Sequence, residues 1–366
     1  MKKQHFFYAL ILYVIAILYL AISTPISTHE AKTFYTSHDL VSTLMHWGDT
    51  LLSDPLFGFL GLRIFFILFG FVSLVLFYKL SKGYFIRGGD AYLSTMIFML
   101  LPGIVTGLTL ANVAIIVLCI VLLFVLLYEK KQYILLPFLM LALFFIHEAS
   151  IIFFVALLLY GLIHKDKKLS IAASAFLIAF IYLAKGIEIG GRPSGHFLEI
   201  FGLYATVFSP LLFLYFFYAM YRILLSENKN LLWYISFTAL AFSLLLSLRQ
   251  RVYITDFAPY VMIAVVLMLD TLNRTVRVRL PEFQKHYKRG FYVVMGFLAL
   301  STSIIIFHKA SYLLLENPKM HFAQRIYEPY YLAKQLKKDK VPCYDKARRR
   351  ERYQLKYYDI LLCRNF

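Results

Sequence analysis

The groups able to do chemistry in this chain stand out because they interrupt long apolar runs. His147 and Glu148 sit side by side within Leu141–Leu159, a stretch with no other charge. An ionisable pair at or near membrane depth costs at least a few kcal/mol unless it faces a polar cavity. The pair therefore either lines such a cavity or marks a turn at the interface. Arg249 and Arg251, in Ser247-Leu248-Arg249-Gln250-Arg251, close another apolar run. Two guanidinium groups there suit a phosphate or pyrophosphate at headgroup level, or else snorkel to the interface. Arg63 follows Gly61-Leu62 at the start of a hydrophobic span, and a single Arg in that setting admits either reading.

The elements that must carry these groups are membrane helices. Of 366 residues, 61% are hydrophobic and 16% charged, with a mean hydropathy of +0.70. A soluble domain is usually about 45–50% apolar and about a quarter charged. The excess is concentrated in runs such as Phe6–Ile22 and Val113–Leu127, which approach the ~20 residues needed to cross hydrocarbon. Backbone amides in lipid must be satisfied within the segment, so these runs are expected to be helices. The fold class expected is all-α, a polytopic transmembrane bundle of about eleven spans. They fall near 6–22, 59–78, 91–106, 110–128, 133–146, 149–163, 169–184, 204–222, 231–247, 257–272 and 291–307. Outer turns are expected from Pro102-Gly103 to Asn112 and at His147-Glu148. The N-terminal run lacks a small-x-small cleavage site and is taken as an uncleaved first helix.

Charge sets the expected orientation. With a cytoplasmic N-terminus, eighteen Lys and Arg fall in the inner connections and five in the outer ones before the tail, a positive-inside bias. The net charge of +18 thus belongs to topology and anionic headgroups, not to nucleic acid. The outer connections hold a mixed set: His29, Glu30, Lys32, His38, Asp39, His46, Asp49, Asp54, His147, Glu148, Lys185, Glu188, Arg192, Arg249, Arg251 and Asp256. Acids, imidazoles and guanidinium groups on one face are what a site for an anionic, polar substrate requires, though a solvated rim would have the same composition. The segment from His38 to Ser53 is patterned as an amphipathic interfacial helix, with Leu40, Leu44, Trp47 and Leu51 on one stripe. Two domains are expected: a transmembrane domain over 1–307, with its first outer loop at 23–58, and an external basic tail over 308–366. Cys343 and Cys363 lie in that tail and can pair in an oxidising compartment. No His-x-x-x-His, Cys-x-x-Cys or phosphate-binding Gly loop is present. No cofactor is expected, and a divalent ion on Glu30 is conceivable but not indicated.

The order of first span, His29-Glu30, interfacial helix and then Leu62-Arg63-Ile64-Phe65-Phe66-Ile67-Leu68-Phe69-Gly70 resembles the GT-C superfamily. Its polyprenyl-phosphate-dependent mannosyl- and aminoarabinosyl-transferases are the branch most similar. Two further segments carry the resemblance: Arg251-Val252-Tyr253-Ile254-Thr255-Asp256-Phe257-Ala258-Pro259, and Tyr331-Leu332-Ala333-Lys334-Gln335-Leu336-Lys337-Lys338. The resemblance implies an inverting glycosyltransferase on the outer face of the cytoplasmic membrane. Its donor would be a polyprenyl-phosphate sugar, and its acceptor a lipid, glycan or protein. Where the family carries its catalytic Asp, this chain has His29, followed by Glu30 at the family's Glu position. By that resemblance Glu30, with His29, activates the acceptor. His29 suits proton abstraction because an imidazole titrates near neutrality. Arg249, Arg251 and Arg63 would stabilise the leaving phosphate, with His147, Glu148 and Asp39 as supporting groups. The rival readings are a flippase for a lipid-linked glycan and a glycan polymerase or ligase of another membrane fold.

Overall fold

The computed structural model describes residues 3–183, 195–226, 229–314, 321–341, 343–345, 348, 350–361 and 363, and for Pro55 and Leu313 the backbone alone. The expected outer-loop residues Lys185, Glu188 and Arg192 lie outside the described residues. All regular structure among those described is helical. The helices are α1 (Lys3–Ser23), α2 (Thr28–Thr36), α3 (Leu40–Leu51), α4 (Ile64–Tyr84), α5 (Gly88–Leu100), α6 (Pro102–Thr109), α7 (Val113–Glu129), α8 (Leu136–Ile146), α9 (Ile151–Ile163) and α10 (Lys167–Tyr182). They continue as α11 (Phe197–Phe208), α12 (Pro210–Leu224), α13 (Leu231–Ser247), α14 (Ile254–Met262), α15 (Val265–Arg277), α16 (Pro281–Ile306), α17 (His308–Leu314), α18 (Gln324–Lys338) and α19 (Arg352–Tyr357).

Each of the eleven expected spans is helical, but not each is one straight helix. Among the described residues three helices are singly long and apolar enough to cross a membrane: α1, α4 with its preceding turn, and α16. Three more crossings arise if bent pairs are counted together, while α7, α8, α9 and α13 are shorter apolar helices. Proline explains two of the breaks. The expected span 91–106 bends by 60° between α5 and α6 at Leu101-Pro102. The expected outer turn from Pro102 is accordingly a helix, α6. The expected span 204–222 bends by 106° at Ser209-Pro210. A residue before proline is driven out of the helical region, and Ser209 goes further, to φ 80°. The third break, of 43° between α14 and α15, follows Pro259 within α14.

The chain divides into two compact units. Unit 1 comprises Met1–Leu10, Phe69–Val105 and Val113–Thr302, and holds most of the apolar helices. Within it, α9 packs on α10 and α13, and α13 on α14. A ladder of aromatic side chains, Phe124, Phe153, Phe154, Phe176 and Phe180, fills the space between helices.

Unit 2 comprises Ile11–Leu68, Thr106–Asn112 and Ser303–Phe366. The expected domain boundary at 307 falls inside it, because the tail packs on the first loop. Helix α19 docks on α2, and α3 docks on the turn Gly61–Arg63. That approach needs glycine: a Cβ on Gly48 would collide with the Gly61 carbonyl. The buried stripe of α3 is Val41, Leu44, Met45 and Gly48. Of the expected stripe only Leu44 is buried, and Leu40, Trp47 and Leu51 are exposed. The tail is closed by the Cys343–Cys363 disulfide and by the Tyr344 N–H donating to the Leu361 carbonyl at 2.9 Å.

Candidate functional site

In unit 2 the turn between α1 and α2 is built around one arginine. Arg63 and Glu30 are both fully buried. Arg63 Nε donates to Glu30 Oε1 and Nη2 to Oε2, each at 2.9 Å. Its other N–H groups reach the carbonyls of Ala21 (3.1 Å), Thr24 (2.7 Å) and Pro25 (3.1 Å), where α1 ends. The last carbonyls of a helix lack intrahelical partners and carry the negative end of its dipole, so a guanidinium there satisfies both needs. Glu30 is as fully engaged. Its Oε2 accepts the Ser27 N–H at 2.8 Å, completing a capping box at the start of α2. Its Oε1 accepts the Ala111 N–H at 2.8 Å. Burial alone would raise this carboxyl, but the Arg63 charge and the hydrogen bonds outweigh it and hold the pKa below the usual carboxylate range.

This geometry does not suit the role expected of Glu30. A carboxylate with four hydrogen bonds, no exposure and a depressed pKa has no free lone pair to take an acceptor's proton. Arg63 likewise spends all five donors internally, so it is not free to meet a leaving phosphate. The pair holds the first turn. His29, one residue earlier, is exposed and bonds to no described residue. Asp39 is an N-cap: its Oδ1 accepts the Ser42 N–H at 2.9 Å and starts α3.

Other titratable groups gather on α3. Asp49 is half-buried, and burial pushes its carboxyl up. The Tyr357 hydroxyl lies 3.4 Å from its Oδ1. His46, one turn earlier, lies 3.0 Å from the Phe34 carbonyl through Nε2, and its ring packs against that of Phe34 at a tilt of 36°.

Unit 1 holds the remaining expected residues. The turn at His147-Glu148 is where it was expected, between α8 and α9. His147 Nε2 lies 3.4 Å from Asp256 Oδ1, without hydrogen-bond geometry. One helical turn along α14, the Tyr260 hydroxyl donates to Ser150 at 3.2 Å, so that turn meets one face of α14. Glu148 is exposed and unpaired with any described residue. Arg251 is 73% exposed and meets Glu199 Oε1 through Nε (2.9 Å) and Nη2 (2.7 Å). His196 Nδ1 lies 2.9 Å from Oε2 of the same carboxylate. Arg249 is exposed, and its guanidinium bonds to no described residue.

No family model and no curated protein matches this chain by sequence. Solved structures do match by shape. ArnT from Cupriavidus metallidurans in the apo state aligns over 95% of this chain and 74% of its own, with TM-score 0.51 and 12% identity. The same protein bound to undecaprenyl phosphate aligns over 99% and 86%, with TM-score 0.59 and 9% identity. The fold is GT-C-like. The resemblance carried by the first-loop and Leu62–Gly70 segments is thus met by the architecture, at identities too low to align side chains one by one.

Within this GT-C-like fold, sequence reading missed Glu199 and His196, which lie just ahead of the span expected from 204. Their signal was the i, i+3 spacing of an imidazole and a carboxylate in the first turn of an amphipathic helix. It missed Gln354 as well, a tail residue with no local pattern, fully buried against the first loop.

Proposed function

We propose that this chain is a GT-C glycosyltransferase that moves a sugar from a polyprenyl-phosphate carrier to an acceptor on the outer face of the cytoplasmic membrane. The observation that carries the reading is the fold, whose likeness extends over nearly the whole chain to a structure holding undecaprenyl phosphate. The positive-inside charge pattern and the Cys343–Cys363 disulfide support an outward-facing unit 2.

The reaction is displacement at the anomeric carbon. The acceptor's O–H or N–H group attacks, the bond from carbon to the carrier's phosphate oxygen breaks, and that oxygen leaves with the electron pair. A base takes the acceptor proton. His29 is the candidate that suits this step, being exposed and without a partner among the described residues. Asp49, whose basicity is raised by burial, is the second. Arg249, whose guanidinium has no partner among the described residues, and Arg251, whose partner Glu199 is itself accessible, suit the carrier phosphate.

Membranes containing the protein, given undecaprenyl-phosphate-linked mannose and aminoarabinose in turn, test this. Labelled sugar should leave the carrier and appear in an acceptor fraction. His29→Ala should lower kcat by about 10²-fold or more, while Arg249→Ala should raise the donor KM. Unchanged turnover in His29→Ala removes His29 from the chemistry. Absence of transfer from any polyprenyl-phosphate sugar removes the function.

A further inference from the structure

Between His308 and Phe366 the chain carries fourteen Lys and Arg against six Asp and Glu. Positive-inside sorting would not place that charge on an outer tail. Part of it lines a cavity of about 470 Å³ within unit 2, bounded by α18, by the residues ahead of α19 and by Thr28 at the start of α2. Its charged lining is Arg325, Glu328, Arg348, Arg350 and Glu351.

The acids are answered from within. Glu328 accepts from the Gln324 side chain at 3.0 Å. Glu351 accepts the Arg348 backbone N–H at 3.2 Å and lies 3.8 Å from the Arg348 guanidinium. Arg325 and Arg350 are exposed, and their guanidinium groups bond to no described residue. The walls are pinned by Gln354, fully buried. Its Nε2 donates to the carbonyls of Ile26 (2.9 Å) and Arg325 (3.1 Å), and its Oε1 accepts the Thr28 hydroxyl at 3.2 Å. The wall that carries Arg325 is thus tied to the first loop, and Thr28 on it directly precedes His29. Planar guanidinium groups match phosphate oxygens two at a time.

We propose that this cavity is a phosphate-binding site formed by Arg325 and Arg350 with Arg348, and that it holds a phosphorylated acceptor. Its description as an acceptor site rests on the proposed transferase activity; its capture of phosphate does not.

The test uses the full chain in phosphatidylcholine nanodiscs, with N-acetylglucosamine 1-phosphate as probe and N-acetylglucosamine as its neutral control, measured by calorimetry. The phosphate sugar should bind and the neutral sugar should not. Arg325→Gln with Arg350→Gln should weaken binding roughly tenfold or more, with the disulfide and the melting temperature retained. In transfer assays the double variant should raise the acceptor KM and spare the donor KM. Equal binding of the two sugars, or unaltered binding by the double variant, overturns the site. Phosphate-sugar binding without transfer of any kind sinks the transferase reading and leaves the phosphate site standing. Competition by phosphatidylglycerol nanodiscs assigns the bound phosphate to a lipid headgroup, and lack of competition to a glycan.

Discussion

Arg63 with Glu30 (2.9 Å to each carboxylate oxygen) and Arg251 with Glu199 (2.9 and 2.7 Å to one oxygen) are the same two residue types in different units of the molecule. The first pair is wholly buried, with its remaining donors and acceptors used by backbone. The second has side chains 73% and 34% exposed, and Arg251 keeps free donors. Burial decides what each can do. A buried, saturated pair fixes backbone and offers nothing to a substrate. An exposed pair contributes little to stability, because water and salt screen it, but it stays available to an incoming anion. The family resemblance points to the first pair for chemistry, yet that pair has no free donor or acceptor left, and of the two only the second keeps donors open to solvent.

The largest effect should come from breaking the buried pair on one side only. Glu30→Gln leaves the Arg63 charge buried without a counter-charge and should destabilise unit 2 by about 3–5 kcal/mol. Melting in detergent and proteolysis of the tail would show it. Glu30→Leu with Arg63→Met should recover part of that loss, since two apolar groups leave no charge unpaired. If Glu30→Gln melts like the unaltered protein yet is inactive, Glu30 is chemical after all and the contrast between the pairs collapses.

A smaller, graded effect is expected from pH. The folded-state pKa of Glu30 is depressed, so its contribution is complete above its unfolded value of about 4.3 and is lost as pH falls through the lower folded value. Melting temperature should therefore show no Glu30-dependent fall from pH 7 to 5. Any acid decline due to Glu30 should begin below that range and be absent in Glu30→Gln. The smallest effect should be Glu199→Gln, which removes an exposed partner. Melting should be unchanged, and the donor KM should move with the freed Arg251. A clear loss of stability there would make both pairs structural.

Much of the fold was legible in residue order. Lipid demands continuous helical hydrogen bonding, so the apolar runs had to be helices, and each expected span is helical. The bends of 60° and 106° follow Pro102 and Pro210, residues already visible in the chain, but their angles depend on what each half packs against. The amphipathic segment after the first span was legible as helix α3; its buried face was not. Gly48, lacking a side chain, approaches the Gly61 carbonyl and turns Trp47 and Leu51 outward.

The site was legible as a list of polar residues and not as a set of roles. Sequence alone determined that this is a membrane protein of helical spans with scarce, separable polar groups, because hydrophobicity and backbone satisfaction are local properties. Only the tertiary structure decided that Glu30 and Arg63 neutralise one another, that Asp39 is a cap, that Gln354 ties tail to loop, and that Arg325 and Arg350 line a cavity without a guanidinium partner among the described residues. Those outcomes depend on which groups from distant positions meet out of water, and hydrogen-bond and charge satisfaction across 33 or 328 residues leaves no periodic trace in the chain.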